Sequence, residues 1–324
     1  MDSVPFTFCL DVMERLNANS WNYQLMEESL TGRWKAAAKR YVENVHNVDV
    51  FFNCRDGVWE YSTTVDQAYE DRSLDDLLAM NRRFVRCRAI YVHHAIHPIG
   101  YYTTCTKEEI FNRLIPFMVQ QSRSFRTLSF HHSLSREDAR TYFDLFRSCR
   151  GFGFQDLDLP YFGEETEQFL SACLEHNLKC LTLDTSWPQS QAVEDLILKF
   201  LSAGIMLTIN ERQDGASEAG LKLSPKILKA VLEAWDKAVN LSFFNVTAPW
   251  HDDLELILSI PLPPNVSRTE PKTNKHKSVV MWSKEDGSVL SCSLYWEEHF
   301  IRFRSPPYMP LEDLLKTDEI LPLP

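Results

Sequence analysis

The sequence predicts an α/β protein with a small helical module, then parallel strands with returning helices, then antiparallel strands. The main observation is a short pattern, apolar-x-x-apolar-x-apolar, that recurs six times between Cys87 and Phe243. Alternating apolar residues are typical of a strand with one buried face. A repeat of roughly 20–50 residues is typical of stacked supersecondary units. The middle residues of the copies are Ile90, Leu128, Leu157, Leu181, Leu207 and Leu241.

Helix start signals lie between these copies. Thr106 is followed three residues later by glutamate and Ser135 by aspartate, which is the spacing of a capping box. Ser224 precedes a proline, a combination typical of the first turn of a helix. Because a helix returns the chain after each strand, successive strands are expected to run parallel. The predicted arrangement is a solenoid with parallel strands inside and helices outside.

Three short helices are predicted in the first 45 residues. Pro5 is placed at the start of the first, where a missing N–H costs nothing. So small a module cannot bury much apolar surface alone, so it is expected to pack against a partner protein or against its own chain. The third helix is predicted from the helical spacing of Trp34, Ala37, Ala38, Tyr41, Val42 and Val45.

A β-hairpin is predicted after the helical module, because two alternating segments flank an Asp-Gly turn at Gly57. It is expected to cap the first repeat, and antiparallel strands near the C-terminal end are expected to pair with the last one. The predicted divisions are a helical module at 1–45, a hairpin and connecting segment at 46–86, the solenoid at 87–260, a flexible loop at 261–278, and a β cap with a tail at 279–324.

Composition narrows the classes of function. The chain has 324 residues and a formal net charge of −11, which argues against a nucleic-acid surface as its main purpose. No apolar run is long enough to span a bilayer, and no basic residue precedes the first apolar stretch, as a secretory signal would require. The eight cysteines form no Cys-x-x-Cys pair. They are expected to be reduced thiols, which places the protein in the cytoplasm or nucleus.

The sequence predicts no enzyme, cofactor or metal site. Neither a Gly-x-Ser-x-Gly motif nor a phosphate-binding loop occurs. Asp156 and Asp158 are expected to face the same side of one strand, where a carboxylate pair could do acid–base chemistry or form an acidic rim. Five histidines are expected near the ends of the first two repeat strands, as a zinc site or as surface residues. They are His93, His94, His97, His131 and His132.

The first 45 residues resemble the F-box pattern, as found in nematode F-box-like proteins. The pattern begins with Leu-Pro or a near equivalent, continues with apolar positions on a helix, and ends with a spaced apolar residue and tryptophan. The segment from Asn17 to Asn22 departs from the usual loop. The residues that carry the resemblance are Val4, Pro5, Phe8, Val12, Met13, Leu16, Leu30 and Trp34.

The repeated strand–helix pattern resembles leucine-rich repeats. Their asparagine or cysteine position is occupied here by other residues, such as Ala95, Phe162 and Arg212, so an irregular arc is expected. The two resemblances together imply a substrate-recruiting adaptor of a Skp–cullin–F-box ubiquitin ligase, in which the N-terminal residues bind the Skp subunit. The alternative is a stand-alone solenoid interaction protein whose F-box-like segment no longer binds Skp.

A client protein would then contact the outward-facing residues of the repeat strands. That surface is neutral to acidic, which predicts a client of basic or polar character. The predicted surface consists of Tyr91, His93, Ser129, His131, Asp156, Asp158, Thr182, Asp184, Thr208, Asn210, Ser242 and Phe244.

Overall fold

The chain divides into two compact units, Met1–Asp156 and Leu157–Pro324, and each is a mixture of helices and strands. Within the part of the chain described, no helix is long and apolar enough to cross a membrane. The computed structural model describes residues 4–16, 20–55, 57–66, 68–70, 73–93, 102–121, 127–150, 152–211, 220–237, 244–250 and 254–305.

Unit 1 begins with the three predicted helices, α1 (Phe6–Leu16), α2 (Ser20–Ser29) and α3 (Gly32–Asn44). Tyr23 donates a hydrogen bond to the carbonyl of Met13, at 2.8 Å, and so joins α2 to α1. Tyr41 on α3 donates one to the carbonyl of Leu10, at 3.1 Å. Burial raises the pKa of Tyr41 to about 12, so this hydroxyl is a donor at all ordinary pH values.

The remainder of unit 1 is a mixed sheet with helices. Its strands are β1 (His46–Arg55), β2 (Val58–Val65), β3 (Ala68–Glu70), β4 (Val85–His93), β5 (Thr103–Cys105) and β6 (Thr127–Phe130). They are bonded in the order β6-β4-β1-β2-β3, and β5 also pairs with β2. The hairpin β1–β2 is confirmed. Gly57 in its turn has a φ of 79°, which glycine adopts without steric cost. β4 and β6 run parallel, as predicted.

The helices of this sheet follow the predicted start signals. Thr106 and Glu109 form the predicted capping box, and the Oγ atom of Ser135 accepts from the backbone N–H of Asp138 at 3.1 Å. The helices are α4 (Leu74–Ala79), α5 (Lys107–Glu109), which continues through a π-helical turn (Ile110–Leu114) into α6 (Ile115–Gln121), and α7 (Arg136–Ser148).

The core of unit 1 lies between one face of the sheet and α7. Phe52, Val92 and Phe130 align across β1, β4 and β6 and are fully buried. The Phe130 ring packs edge-on against Phe143 of α7, with centroids 5.1 Å apart. Tyr142 lies beside Phe52 at 6.4 Å. The alternating residues of the same strands therefore face away from this core.

Unit 2 continues the alternation of strands and helices. Its first strands are β7 (Asp156–Asp158, at the boundary between the units), β8 (Cys180–Asp184), β9 (Met206–Asn210) and β10 (Phe244–Pro249). Its helices are α8 (Glu164–Leu174), α9 (Gln191–Leu201), α10 (Pro225–Lys237) and α11 (Leu254–Leu258). β8 and β9 run parallel, as predicted, and β10 pairs parallel with β9. The alternating apolar residues of β8 and β9 are buried.

The C-terminal strands of unit 2 are antiparallel, as predicted. They are β11 (Val266–Arg268), β12 (Lys272–Thr273), β13 (Lys277–Lys284), β14 (Val289–Tyr295) and β15 (Phe300–Ser305). β15 pairs with β10, the last parallel strand. β11 and β12 interrupt the segment 261–278 that was predicted to be a loop. Among the described strands, both pair with β13. The predicted tail at 306–324 lies outside the described residues.

The sixth copy of the repeat was assigned to the wrong residues. The segment 238–243 lies outside the described residues, and the strand that follows β9 is β10. Val246, not Leu241, is the partner of Leu207. This changes the set of residues that face outward, because a shift by an odd number of positions exchanges the two faces of a strand.

A carboxylate in unit 2 predicts a dependence of stability on pH. Glu194 on α9 is nearly buried and accepts a hydrogen bond from the Ser224 hydroxyl, and Lys226 Nζ lies 3.1 Å from its other oxygen. The Ser224 bond, and then Lys226, hold the pKa of Glu194 below its usual value. A lowered pKa in the folded state contributes stability above the unfolded-state pKa, and that stability is lost as pH falls through the folded-state pKa.

We therefore expect Glu194→Gln to destabilise the protein at neutral pH, and the difference from the wild type to shrink below about pH 5. Urea denaturation between about pH 3 and 7 measures it. Glu255→Gln, at an exposed position of α11, is the matched control and should show no such trend. A difference for Glu194→Gln that stays constant with pH would contradict the assignment.

Candidate interaction surfaces

Helix α1 carries an exposed apolar stripe. Phe8, Val12 and Leu16 are four residues apart, so they lie along one side of the helix. Phe8 and Leu16 are each 51% exposed, whereas Val12 between them is half-buried. The Phe8 ring meets the Trp34 ring of α3 edge-on, with centroids 6.2 Å apart. These four side chains, called the α1 stripe below, form a continuous apolar strip on the surface of unit 1.

The opposite side of the helical module packs inside unit 1. The guanidinium of Arg83 donates to Asp11 Oδ1 at 2.7 Å and lies 3.5 Å from Glu14 Oε2. Phe84 packs edge-on against Tyr41, with centroids 5.1 Å apart. The expected packing of the module against its own chain is therefore present on this face, whereas the expected contact with a partner protein stays a prediction.

The eight residues on which the sequence resemblance rests do not share one environment. Met13 is only 1% exposed and belongs to the core of the module with Cys9 and Tyr41. Its expected contact with a partner is therefore wrong for the folded module. Val4, Val12, Leu30 and Trp34 are half-buried, and Pro5, Phe8 and Leu16 are exposed. Phe6 and Leu25 are also exposed apolar residues of this module, at 37% and 44%, and the sequence did not single them out.

A row of aromatic rings lies on the outward face of the unit 1 sheet. Phe51 of β1 stacks on Tyr91 of β4, with centroids 4.8 Å apart and an interplanar angle of 11°. His93 follows along β4, 6.1 Å from Tyr91, and His131 lies 5.6 Å from His93. The predicted outward positions of Tyr91, His93, Ser129 and His131 are confirmed, since each is half-exposed. Phe51 was missed, because it lies outside the repeat.

A bidentate ion pair lies beside this row. Arg88 donates from both Nε and Nη2 to the carboxylate of Asp49, and the Nε bond is 3.0 Å. The hydroxyl of Thr64 donates to the same carboxylate at 3.2 Å. The Asp49 bonds raise the pKa of Arg88 above its usual value, so the pair stays charged. This basic residue is therefore neutralised and does not contribute a free positive charge to the surface.

The histidines near this row do not form a group of three ligands in the described part of the chain. The rings of His131 and His132 lie 4.1 Å apart, and His131 Nδ1 lies 2.7 Å from the hydroxyl of Ser133. His94 and His97 lie outside the described residues. No cluster of three His, Cys, Asp or Glu side chains suited to a metal occurs among the residues that are described.

The outward face of unit 2 holds most of the residues predicted there. Asp158, Thr182, Asp184 and Thr208 are half-exposed and Asn210 is exposed, while the alternate residues of the same strands are buried. Asp156, the first residue of β7 and the last of unit 1, is half-exposed too. Asp184 accepts from the backbone N–H of Ser186 at 3.0 Å, which fixes its carboxylate at the end of β8.

Two further residues, Phe244 and Ser242, were predicted to belong to this face. Phe244 is 1% exposed, because in β10 it shares the core side with Val246. Its assignment to a client surface is therefore wrong. Ser242 lies outside the described residues.

Strand β15 adds positive charge to the outward face of unit 2. Thr182, Thr208, Thr247 and Arg302 are partners in successive strands and so share one face. Arg304 is opposite Asn245 in the neighbouring row. Both arginines were missed, although the alternation of Ile301 and Phe303 with them places them away from the core. The sequence predicted that the C-terminal strands pair with the last repeat strand, but it did not reveal that β15 is the strand beside β10.

The thiols are poorly suited to nucleophilic chemistry where their surroundings are described. Burial raises the pKa of Cys105 to about 12, and it raises the pKa of Cys54 and Cys149 as well. Cys292 is fully buried in the C-terminal strands, and its pKa is raised for the same reason. These four thiols are protonated at neutral pH, and a thiolate is the reactive form.

Comparison with known proteins yields no match: no family model, no curated protein and no solved structure is similar to this chain.

Proposed function

We propose that this chain is a non-enzymatic, substrate-recruiting adaptor of a Skp–cullin–F-box ubiquitin ligase. The α1 stripe would bind the Skp subunit, and the outward faces of the sheets would hold a client protein. The observation that carries the proposal is the exposure of Phe8 and Leu16, two of the residues on which the F-box resemblance rests. They lie on a helix that already has a buried face, so their apolar character is not needed for the core of unit 1.

The free energy available from the α1 stripe is adequate for a contact of this kind. Removing a large apolar side chain from water stabilises a complex by about 1.5–3 kcal/mol when it is fully exposed beforehand, and by about half of that here. Phe8, Leu16, Phe6 and Leu25 are all exposed on the three-helix module. Clustered apolar residues of this size on a small module are typical of a protein–protein interface.

The repeat region is proposed to be an irregular relative of leucine-rich repeats. Parallel strands β8, β9 and β10, each joined to the next through a helix, support that reading. Apolar and polar residues alternate along these strands, so a row of polar side chains faces away from the core. A client protein could contact this row.

The alternative is a stand-alone interaction protein whose helical module only stabilises its own chain. The burial of Met13 and the ion pairs of Arg83 with α1 favour it, since both serve packing within unit 1. The two proposals differ in one property, which is whether the α1 stripe has a partner.

The test is co-purification with a recombinant Skp subunit. Leu16→Glu places a charge on the exposed stripe without touching the core, so we expect binding to fall at least about tenfold, because burying an unpaired carboxylate opposes association. Phe8→Ala should also weaken binding, because it removes the other exposed apolar side chain of the stripe.

The matched control is Leu262→Glu, which introduces the same charge at another exposed leucine, in unit 2. It should bind Skp as the wild type does, and circular dichroism should show that all variants are folded. If the wild-type chain does not bind Skp, the adaptor proposal is abandoned. If Leu16→Glu binds as tightly as the wild type, the α1 stripe is not the contact.

A further inference from the structure

The outward face of unit 2 carries two arginines that have no counter-ion among the described residues. Arg302 and Arg304 are half-exposed, and neither forms an ion pair with any residue described. Arg302 stacks over the Phe300 ring at 5.5 Å, which orients its side chain without neutralising it. In contrast, Arg88 of unit 1 is held by Asp49 in a bidentate pair.

The polar atoms around these arginines also lack partners. The Nε atoms of Arg302 and Arg304, the Oγ1 atom of Thr247 and the Oδ1 atom of Asn245 are buried and make no hydrogen bond to the rest of the described chain. Thr247 is opposite Arg302 and Asn245 is opposite Arg304, so the four side chains form one block on β10 and β15. Buried polar groups are normally hydrogen-bonded, so this block is unusual, and the half-exposed arginine side chains are the part of it that a ligand can reach.

No carboxylate of this face, as far as it is described, lies close enough to neutralise the block. The row that contains Arg302 continues through Thr247 and Thr208 to Thr182, which are all neutral. Asp184 lies one row further on β8, three strands from β15, or roughly 14 Å at the usual spacing between strands. The Debye length at physiological ionic strength is about 8 Å, so Asp184 has little effect on Arg302.

The spacing of Arg302 and Arg304 along β15 suggests the shape of the ligand. Residues two apart on a strand are separated by about 7 Å, and alternate side chains of an extended peptide have the same separation. A carboxylate is a group that an arginine binds in bidentate fashion, and it is the one that protein side chains supply without modification. We propose that this block binds an extended acidic segment of a partner protein, with Asp or Glu at every second position facing Arg302 and Arg304.

The role of this block as the client site of a ligase adaptor rests on the proposed function. Its binding of an acidic peptide does not depend on that function. It also revises the expected client, because the neutral to acidic surface inferred from the repeat strands did not include β15. The client segment that fits this face is acidic, not basic.

The test uses the full chain and a fluorescein-labelled peptide of nine residues in which aspartate and serine alternate. We expect saturable binding by fluorescence anisotropy, weakened by added salt. Arg302→Gln and Arg304→Gln should each reduce affinity roughly tenfold, since each removes one charge-assisted pair. A peptide of the same composition with its aspartates consecutive should bind more weakly.

The matched control is Lys229→Gln with Lys237→Gln, which removes two charges from the exposed side of α10. It should bind the peptide as the wild type does. The proposal is overturned if the wild type does not bind, if the double arginine variant binds equally, or if only a phosphoserine peptide binds. Leu16→Glu should keep peptide binding and Arg302→Gln should keep Skp binding, so failure of either proposal is seen separately.

Discussion

Replacement of Trp187 by alanine is expected to lower the free energy of unfolding of unit 2 by about 3–5 kcal/mol, the usual range for removing a large aromatic residue from a core. Trp187 has no exposed surface, and its indole N–H donates to the carbonyl of Leu159 at 2.7 Å. Tyr161 packs against the ring with centroids 5.2 Å apart. Alanine would leave a cavity and an unpaired buried carbonyl, and both effects destabilise the fold.

Urea denaturation followed by far-ultraviolet circular dichroism measures this loss, since the signal does not depend on the deleted indole. Trp296→Ala is the matched control, because Trp296 is 38% exposed in the same unit. It should cost about 1 kcal/mol or less. Trp187→Phe should give an intermediate loss, because it keeps most of the volume and removes the donor. Equal losses at Trp187 and Trp296 would show that Trp187 is not a core residue.

The repeat strands could be predicted because their signal is local. Leu181 and Leu183 alternate in β8, as Leu207 and Ile209 do in β9, and all four are buried. A period of two residues is set by the backbone of an extended chain, so it can be read without knowing the neighbours. The helix start at Ser135 is equally local, since the bond to the backbone N–H of Asp138 lies within one turn.

The last parallel strand could not be predicted because two alternations compete there. Phe243 and Phe244 are adjacent, so either Leu241 with Phe243, or Phe244 with Val246 and Ala248, could face the core. The second set is used, and β10 pairs with β9 on one side and β15 on the other. Pairing with β15 joins residues more than 50 positions apart, and such contacts leave no mark in a local pattern.

The difference between local and long-range information also explains why the α1 stripe and the arginines of β15 could be predicted only in part. Helical spacing placed Met13 and Leu16 on an apolar side of α1, yet one is buried and the other is 51% exposed. The distinction depends on where α2 and α3 pack, which spacing does not contain. For Arg302 and Arg304, alternation gives the side of β15, whereas the absence of a neighbouring carboxylate in the described part of unit 2 follows only from the order of strands.

Replacement of Lys284 by methionine is expected to destabilise unit 2 by about 2–3 kcal/mol, the range for hydrogen bonds to a charged group. Lys284 ends β13 and is 11% exposed in its side chain. Its ammonium donates to the carbonyls of Asp236 at 2.7 Å and Trp235 at 3.0 Å. These carbonyls belong to the last turn of α10, where no intrahelical donor reaches them.

Three features make the contact of Lys284 with α10 stronger than the contacts of an ordinary surface lysine. A cation at the C-terminal end of a helix is favoured by the helix dipole. The ammonium also lies 4.6 Å from the centroid of the buried Trp235 ring and 3.8 Å from Asp236 Oδ1. Methionine keeps the length and apolar stem of lysine, so the loss reports on the charge and its bonds, and packing contributes little.

Urea denaturation of Lys284→Met and of the control Lys272→Met, at an exposed position of β12, separates these effects. The control should change stability by less than about 0.5 kcal/mol. Amide hydrogen exchange in the last turn of α10 should speed up in Lys284→Met only, because the cap restrains that turn. Equal stability of the two variants would mean that the ammonium at the end of α10 contributes nothing to holding β13 against that helix.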